Sequence, residues 1–385
     1  MDPEVWILGG TGRSARATAV ELLARGITPT LVGRDPDRLT WAADRLAAES
    51  ASPDPAGRGP AGSGPAGRCR TVLAGTPAAT AAAIRERRPA VVINTIGPFA
   101  DTAAPLIAAC LAAGSHYVDL ANDVAAVAVV LGRADAAVAA GRTLVTGAGF
   151  GVTATESVVV KLCADRPAPL DVRVDMIPSL ATEAGRLGDA LAGTLVEGLP
   201  GVEGGGRFQG RRYRAGRLAP APLAGEPLEL TLPDGTRVTT ASMPLGELVA
   251  AQRASGAPAV LAASAEAPSA PLIRAMLPLV TGLLRISAVR AFARRRLAAV
   301  EFKAKPRPRE HSWGHARIRW SDGTVREGWL RVGEAQAFTG AVPAEVTRRL
   351  LAGEGRPGAH FPAALFGPSL AESCGGTYLL DAHAV

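Results

Sequence analysis

The chain has 385 residues, enough for two domains, and its 48% hydrophobic and 20% charged content excludes global disorder. Its net charge of +7 is local: residues 285–309 hold nine basic residues against the single Glu301, a net of +8, which leaves −1 for the rest. One basic cluster without interleaved aromatics or a binding motif argues against a nucleic-acid partner. Cys69, Cys110, Cys163 and Cys374 form no CxxC and have no His at metal-ligand spacing, so free thiols and no metal are expected. No signal-peptide pattern opens the chain, and the apolar stretch Leu272–Leu284 falls short of the roughly 20 residues a spanning helix needs. The expected location is cytoplasmic.

In chain order, Val5–Leu8 reads as a buried strand, Gly9–Gly12 as a tight turn and Thr18–Arg25 as a helix closed by Gly26. A strand at Thr30–Val32 and a helix at Pro36–Glu49 follow. Ser50–Arg68 is a low-complexity Pro/Gly stretch, expected as a surface loop. Further strands are expected at Arg70–Leu73, Ala90–Asn94, His116–Leu120 and Arg142–Thr146, with a helix at Ala103–Ala113 and another at Thr155–Cys163. This alternation predicts an α/β fold built on a Rossmann-type, doubly wound parallel sheet. Later, Pro233-Asp234-Gly235 and Ser321-Asp322-Gly323 each separate two strand-like runs, Pro227–Leu232 with Arg237–Thr240 and His315–Trp320 with Val325–Val332. Two such hairpins predict an antiparallel sheet that covers the cofactor.

The first turn carries the chemistry. Gly10-Thr11-Gly12-Arg13-Ser14-Ala15, following Gly9, fits G-x-G-x-x-A between a strand and a helix. The glycines permit the tight turn and a close approach of a pyrophosphate to the backbone; the small third residue lets helix and strand pack. The diphosphate would lie on the N–H groups of the helix N-terminus. The second strand ends in Gly33-Arg34, where an NAD-preferring site would carry an acidic residue. An arginine there can clamp a 2′-phosphate, which favours NADPH/NADP; the alternative is that Arg34 merely pairs with Asp35 or Asp37.

With these motifs in hand, the chain resembles the saccharopine dehydrogenase-like reductases, a group that includes the trans-acting enoyl reductases. Gly9–Gly12 and Gly33-Arg34-Asp35 resemble the family's turn and its NADP-selecting strand end. Asn94-Thr95-Ile96-Gly97-Pro98-Phe99 resembles its N-x-x-G-P-[FY] loop, Gly114–Leu120 its G-x-H-Y-V-D-L segment, and Gly149-Phe150-Gly151 its entry to a second domain. Ala192-Gly193-Thr194, Met243–Glu247 and Pro357–Gly367 are weaker echoes. The chain departs from the pattern at Phe361, where the family has Thr, and at Gly75-Thr76, where it often has aspartate. The resemblance implies an NADP-binding domain over residues 1–150, a mixed α/β substrate and dimerisation domain over 151–345, and a segment over 346–385 packing back on the first. It also implies NADPH-dependent reduction of a C=N or activated C=C bond; the sequence leaves the oligomeric state open, a homodimer included.

Thr95, Ile96, Gly97, Pro98 and Phe99 follow the fourth strand, on the edge where such folds hold the reactive ring. The best cluster for a proton donor is His116, Tyr117, Asp119, Asn122 and Asp123. Alternation puts Tyr117 and Asp119 on one face and His116 on the other; a core tyrosine and a loop-capping aspartate are the structural alternatives. Lys161 is expected at the surface. No Tyr-x-x-x-Lys occurs, which excludes the short-chain reductase mechanism, and no HExxH, GxSxG or GK[ST] sequence occurs either. The substrate is expected to be a small molecule or a carrier-bound metabolite. Leu272, Met276, Leu279, Leu283 and Ile286 have helical spacing. With the basic residues to 309 they read either as a docking surface for an acidic carrier or an anionic membrane, or as a buried helix followed by a solvated basic loop. A non-catalytic nucleotide-binding or partner-binding protein is the competing functional reading.

Overall fold

The computed structural model describes residues 3–51, 68–182, 184–188, 192–193 and 196–380. The expected loop Ser50–Arg68 lies almost wholly outside them. The chain divides into two compact units: Met1–Ala121 with Ala128–Phe150 and Gln336–Cys374, and Asn122–Val127 with Gly151–Ala335 and Gly375–Val385.

Val5–Leu8 forms β1, and all four residues are fully buried. At roughly 1.5–3 kcal/mol for a large apolar side chain, such a strand has little freedom to lie anywhere but in the centre of a sheet. Around it the first unit places β2 (Pro29–Gly33), β3 (Arg70–Leu73), β4 (Val91–Asn94), β5 (His116–Asp119), β6 (Thr143–Val145) and β17 (Gly358–His360). Their order is β17-β6-β5-β4-β1-β2-β3, and every pairing is parallel. The direction of winding reverses between β1 and β4, so the loops leaving those strands part there and open a crevice at the carboxyl edge. Helices α1 (Arg13–Ala24), α2 (Pro36–Ala51), α3 (Pro77–Arg87), α4 (Phe99–Ala113), α5 (Val124–Leu131) and α6 (Ala134–Ala139) make the crossovers. Apolar residues of α3 and α4, Ile84, Leu106 and Ile107, pack with Trp6, Val92 and Tyr117 into the core beneath the sheet.

α7 (Phe150–Cys163) crosses into the second unit, whose strands are β7 (Asp171–Ile177), β8 (Gly185–Arg186), β9 (Gly210–Arg214), β10 (Arg217–Ala221), β11 (Leu228–Thr231), β12 (Arg237–Ser242), β13 (Ala259–Ser264), β14 (Glu301–Phe302), β15 (Ser312–Arg319), β16 (Val325–Val332) and β18 (Thr377–Leu380). A nine-stranded sheet runs β10-β9-β13-β7-β15-β16-β18, with the β11–β12 hairpin joined through β13. Both expected hairpins form, as β11–β12 and β15–β16. The sheet is mixed rather than purely antiparallel, because β7 and β13 are parallel and joined through intervening chain. Ile177, Leu230, Val238, Trp313 and Trp329 form its core on one side. Its longer helices among the described residues include α8 (Gly246–Ser255), α9 (Pro271–Leu284) and α10 (Ser287–Ala298).

The expected division at residue 345 moves. α11 (Ala335–Leu351) is one continuous helix that belongs to the first unit from Gln336 onward. It crosses α1 where a Cβ on Gly340 would come within 2.6 Å of the Ala17 backbone, so the crossing requires glycine. Helices α12 (Pro362–Phe366) and α13 (Ser369–Ser373) complete that return. Phe361, the departure from the family's Thr, is 1% exposed and a core residue of this unit. The final residues leave it again, because β18 pairs with β16.

Candidate functional site

The turn after β1 is set by two contacts that only glycine allows. Gly9 has φ +76°, a left-handed conformation, and a Cβ there would lie 2.9 Å from Thr95 Oγ1. A Cβ on Gly10 would lie 2.8 Å from the Leu31 Cβ of β2. The turn is thereby pressed between β2 and the loop after β4, and Thr95 Oγ1 donates to the Leu8 carbonyl at 2.7 Å. Gly12 then caps α1 in extended conformation, without a side-chain cap and with no acidic residue in the first turn. A Cβ there would meet only the Gly9 carbonyl, at 3.3 Å. Thr11 is half-buried, Arg13 exposed and Ala15 buried against the sheet; Ser14 Oγ accepts from Gln336 Nε2 at 3.2 Å.

These features fit a dinucleotide. The helix terminus presents unspent backbone N–H groups and a positive dipole end to a space that glycine leaves clear, as a diphosphate requires. At the end of β2, a Cβ on Gly33 would sit 3.2 Å from Leu39, so this glycine lets α2 pack close. Arg34 is exposed and, among the described residues, makes no ion pair. The two carboxylates expected to compete for it do not. Asp35 Oδ1 instead accepts from the backbone N–H groups of Asp37 and Arg38, both at 3.1 Å, at the start of α2. Across from Arg34, Thr76 caps α3 by accepting from Ala79 N at 3.1 Å, and Gly75 lies beside the arginine stem. The position where the family has aspartate is thus a helix cap.

The loop Thr95–Phe99 runs along the crevice edge, with a cis Gly97–Pro98 bond. Gly97 and Pro98 are exposed, and a Cβ on Gly97 would meet nothing within 4 Å. Buried hydrogen bonds hold the loop from beneath. Asn94 Nδ2 donates to Thr102 Oγ1 at 3.3 Å and to the Tyr117 hydroxyl at 3.0 Å, while Asn94 Oδ1 accepts from Ile96 N at 3.0 Å. The Tyr117 hydroxyl donates to Asp119 Oδ2 at 3.1 Å. Asp119 Oδ1 accepts from Thr146 Oγ1 at 2.8 Å and from Ala121 N and Gly147 N at 3.1 and 3.3 Å.

The residues of the expected proton-donor cluster lie in two different settings. Tyr117 and Asp119 do share a face, but both are fully buried and spend their polar atoms on one another and on the loops. Burial raises the Tyr117 hydroxyl well above its ordinary value, with the Asp119 charge adding to it. Burial pushes the Asp119 carboxyl up to about 6 against the hydrogen bonds that favour its charge. Tyr117 and Asp119 tie the loops after β4, β5 and β6 together. His116 begins β5, at the amino edge of the sheet, and its Nδ1 accepts from Thr143 N at 3.0 Å. Burial and the neighbouring Arg142 charge hold its ring below the ordinary histidine value. It stands at the far end of the strand from the crevice.

The second unit holds two arrangements that the sequence reading missed. Glu247, in the first turn of α8, is 1% exposed, and burial pushes its carboxyl up to about 8. With its amide oriented to satisfy its neighbours, Asn122 donates to both Glu247 oxygens, at 2.7 and 3.1 Å. Gly151 makes room for this group: a Cβ there would lie 2.0 Å from Glu247 Oε1 and 2.5 Å from Met176 Sδ. The motifs around Gly151 and Glu247 are therefore two sides of one contact. In the sheet, buried His315 lies between Asp175 on β7 and Glu327 on β16, each at 2.9 Å, and stacks on Trp329 with centroids 4.1 Å apart. Burial opposes the imidazolium, but the two carboxylates outweigh it and raise its pKa, while Asp175 and Glu327 are lowered. Lys161 is not simply solvated: its ammonium lies 4.3 Å from the Tyr378 ring. A cavity of about 640 Å³ in this unit is lined by Arg237, Lys305, Arg309 and Glu266, among others. No group of three or more metal-ligating side chains occurs among the described residues, whose cysteines are free thiols.

Residues 5–145 match the saccharopine dehydrogenase NADP-binding domain family. No curated protein matches the chain significantly. Among solved structures, apo saccharopine dehydrogenase (L-Glu forming) from Saccharomyces cerevisiae is similar at a TM-score of 0.60 and 11% identity, over 99% of this chain and 100% of that one, a likeness of fold alone. An amine dehydrogenase from Mycobacterium smegmatis gives 0.44 at 12% identity, over 94% of this chain and 95% of that one. GenD2 from gentamicin A biosynthesis, solved with NAD, gives 0.42 at 14% identity, over 99% and 97%. The strand–turn–helix geometry and the family match agree: residues 5–145 form an NADP-binding domain of the saccharopine dehydrogenase type.

Proposed function

We propose that the protein is an NADPH-dependent oxidoreductase that reduces a C=N or activated C=C bond of a small or carrier-bound metabolite. The observation that carries the reading is the crevice edge of the first unit, where a glycine turn, an uncapped helix N-terminus and an unpaired strand-end arginine stand in register. In this reading Gly10–Ala15 hold the diphosphate and Arg34 takes the 2′-phosphate by charge-assisted hydrogen bonds. Thr95–Phe99 border the nicotinamide. Exposed Gly97 and Pro98 bring no bulk to that edge, so ring and substrate approach closely. The buried Asn94–Tyr117–Asp119 chain keeps the loop from yielding when the ring seats. When bound, the cofactor supplies the hydride; the protein supplies binding, orientation and exclusion of water.

The test is steady-state oxidation of NADPH with a panel of imines and enoyl thioesters. Turnover of one class identifies it. NADPH binding without turnover of any member assigns the chain to nucleotide binding alone and refutes the reductase reading.

A further inference from the structure

The second unit carries a segment whose apolar face is turned outward. The chain leaves the cavity wall at Ser269 and rejoins it at Lys305. Between them run α9 and α10, bent by 117° to one another, and neither helix has a buried residue. Leu272, Met276, Leu279 and Leu283 recur at spacings of three and four, and are 75%, 50%, 64% and 48% exposed. Ile273, Val280, Ile286 and Phe292 widen the stripe and are exposed too. A surface helix of a globular protein ordinarily buries such a stripe, so the buried-helix alternative does not describe this segment. An outward stripe of this size marks an interaction surface.

Charge identifies the partner. From Ala267 to Val300 there is no Asp or Glu. Arg285, Arg295 and Arg296 are exposed, and exposed Lys303, Lys305 and Arg307 follow. Glu301, the acidic residue of the region, is held by Arg186 at 3.2 Å. A second copy docked through this face would meet it by two-fold symmetry, setting cations against cations without a carboxylate between them. An acidic carrier protein would satisfy the arginines but would have to present an apolar surface that follows both helices through their 117° bend. An anionic bilayer satisfies both: the apolar side chains enter the headgroup–acyl boundary while guanidinium and ammonium groups stay at the level of the phosphates. Among the described residues no single helix is long and apolar enough to cross a membrane; the pair suits the interface.

We propose that α9 and α10 dock the protein on the surface of an anionic lipid membrane. The test is co-sedimentation of the full chain with vesicles of phosphatidylcholine, alone or with about one third phosphatidylglycerol. The protein is expected to sediment with the anionic vesicles, less so at high salt, and to stay in solution with phosphatidylcholine alone. The pair Leu279→Glu and Leu283→Glu, at exposed positions that leave the thermal unfolding midpoint unchanged, abolishes sedimentation. The triple variant Arg285→Ser, Arg295→Ser and Arg296→Ser lowers partitioning on the order of a hundredfold, since each basic residue near such a surface is worth about fivefold. Equal sedimentation with both vesicles, or none with either, overturns the proposal. A dimer that Leu279→Glu dissociates, without vesicle binding, assigns the face to a second copy; retention on an acidic carrier protein, without vesicle binding, assigns it to that partner.

Discussion

Arg34 and Asp35 are neighbours that face different partners. Asp35 turns Oδ1 to the backbone N–H groups of Asp37 and Arg38 rather than to Arg34, and the strand-end cation faces solvent. Glu247 illustrates the converse, a carboxyl removed from water without a cation. Its pKa is near 8 in the fold and near 4.5 when unfolded, so between those values the folded state holds a proton that the unfolded chain has lost. Its contribution to stability is therefore intact below about pH 4.5 and declines as pH rises toward about 8. Denaturant unfolding at about pH 5 and about pH 8 should show wild type losing more stability across that window than Glu247→Gln. Identical pH dependence in the two proteins would place the ionisation elsewhere. Asp119 invites a second change. Asp119→Ala leaves the Tyr117 hydroxyl and Thr146 without their acceptor, and should cost about 1–3 kcal/mol in unfolding free energy. With a positioning role, any loss of turnover should leave the shape of the pH–rate profile unchanged. A displaced profile would restore it as an acid.

At the scale of elements, Asp175, His315 and Glu327 bind three neighbouring strands through one buried ring. His315 contributes stability that is present below its ordinary value and lost as pH rises through its raised one. Asp175 and Glu327 contribute above the ordinary carboxylate value and lose it as pH falls through their lowered ones. His315→Ala leaves buried Asp175 without its imidazolium partner, although Arg173 and Thr240 remain bonded to it. We expect about 3–5 kcal/mol of destabilisation by denaturant unfolding; a loss below about 1 kcal/mol would show the ring to be packing alone. Gly340→Val presses two methyl groups against the Ala17 backbone and should cost about 1–3 kcal/mol, read as a lowered midpoint. Elements with local signals were legible in the sequence: β1, β3, β4 and both hairpins have their boundaries within three residues of expectation. Helix starts were less so. α1 begins at Arg13 rather than Thr18, because its first turn is polar and carries no apolar period.

For the whole molecule, the glycine turn, Arg34 and the Thr95–Phe99 loop were readable, since each depends on a few consecutive residues. The His315 centre was not, because its partner Asp175 lies 140 positions away and strand register alone brings the two together. The Asn122–Glu247 contact escaped for the same reason. For Tyr117 the sequence left a proton donor and a core tyrosine both open, because its polarity is local while its burial is set by neighbouring helices. The charge of +7 also takes its meaning from placement, a cationic, outward-facing helix pair in a chain that is otherwise near neutral. The central claim, that this is an NADP(H) enzyme selected by Arg34, is tested most directly by calorimetric titration of wild type and Arg34→Ala with NADPH and NADH. The account predicts that wild type prefers NADPH by about 10–100-fold, the worth of charge-assisted bonds to one phosphate, and that the substitution removes most of that difference while sparing NADH. Equal affinities in wild type, or a preference that survives Arg34→Ala, would contradict it.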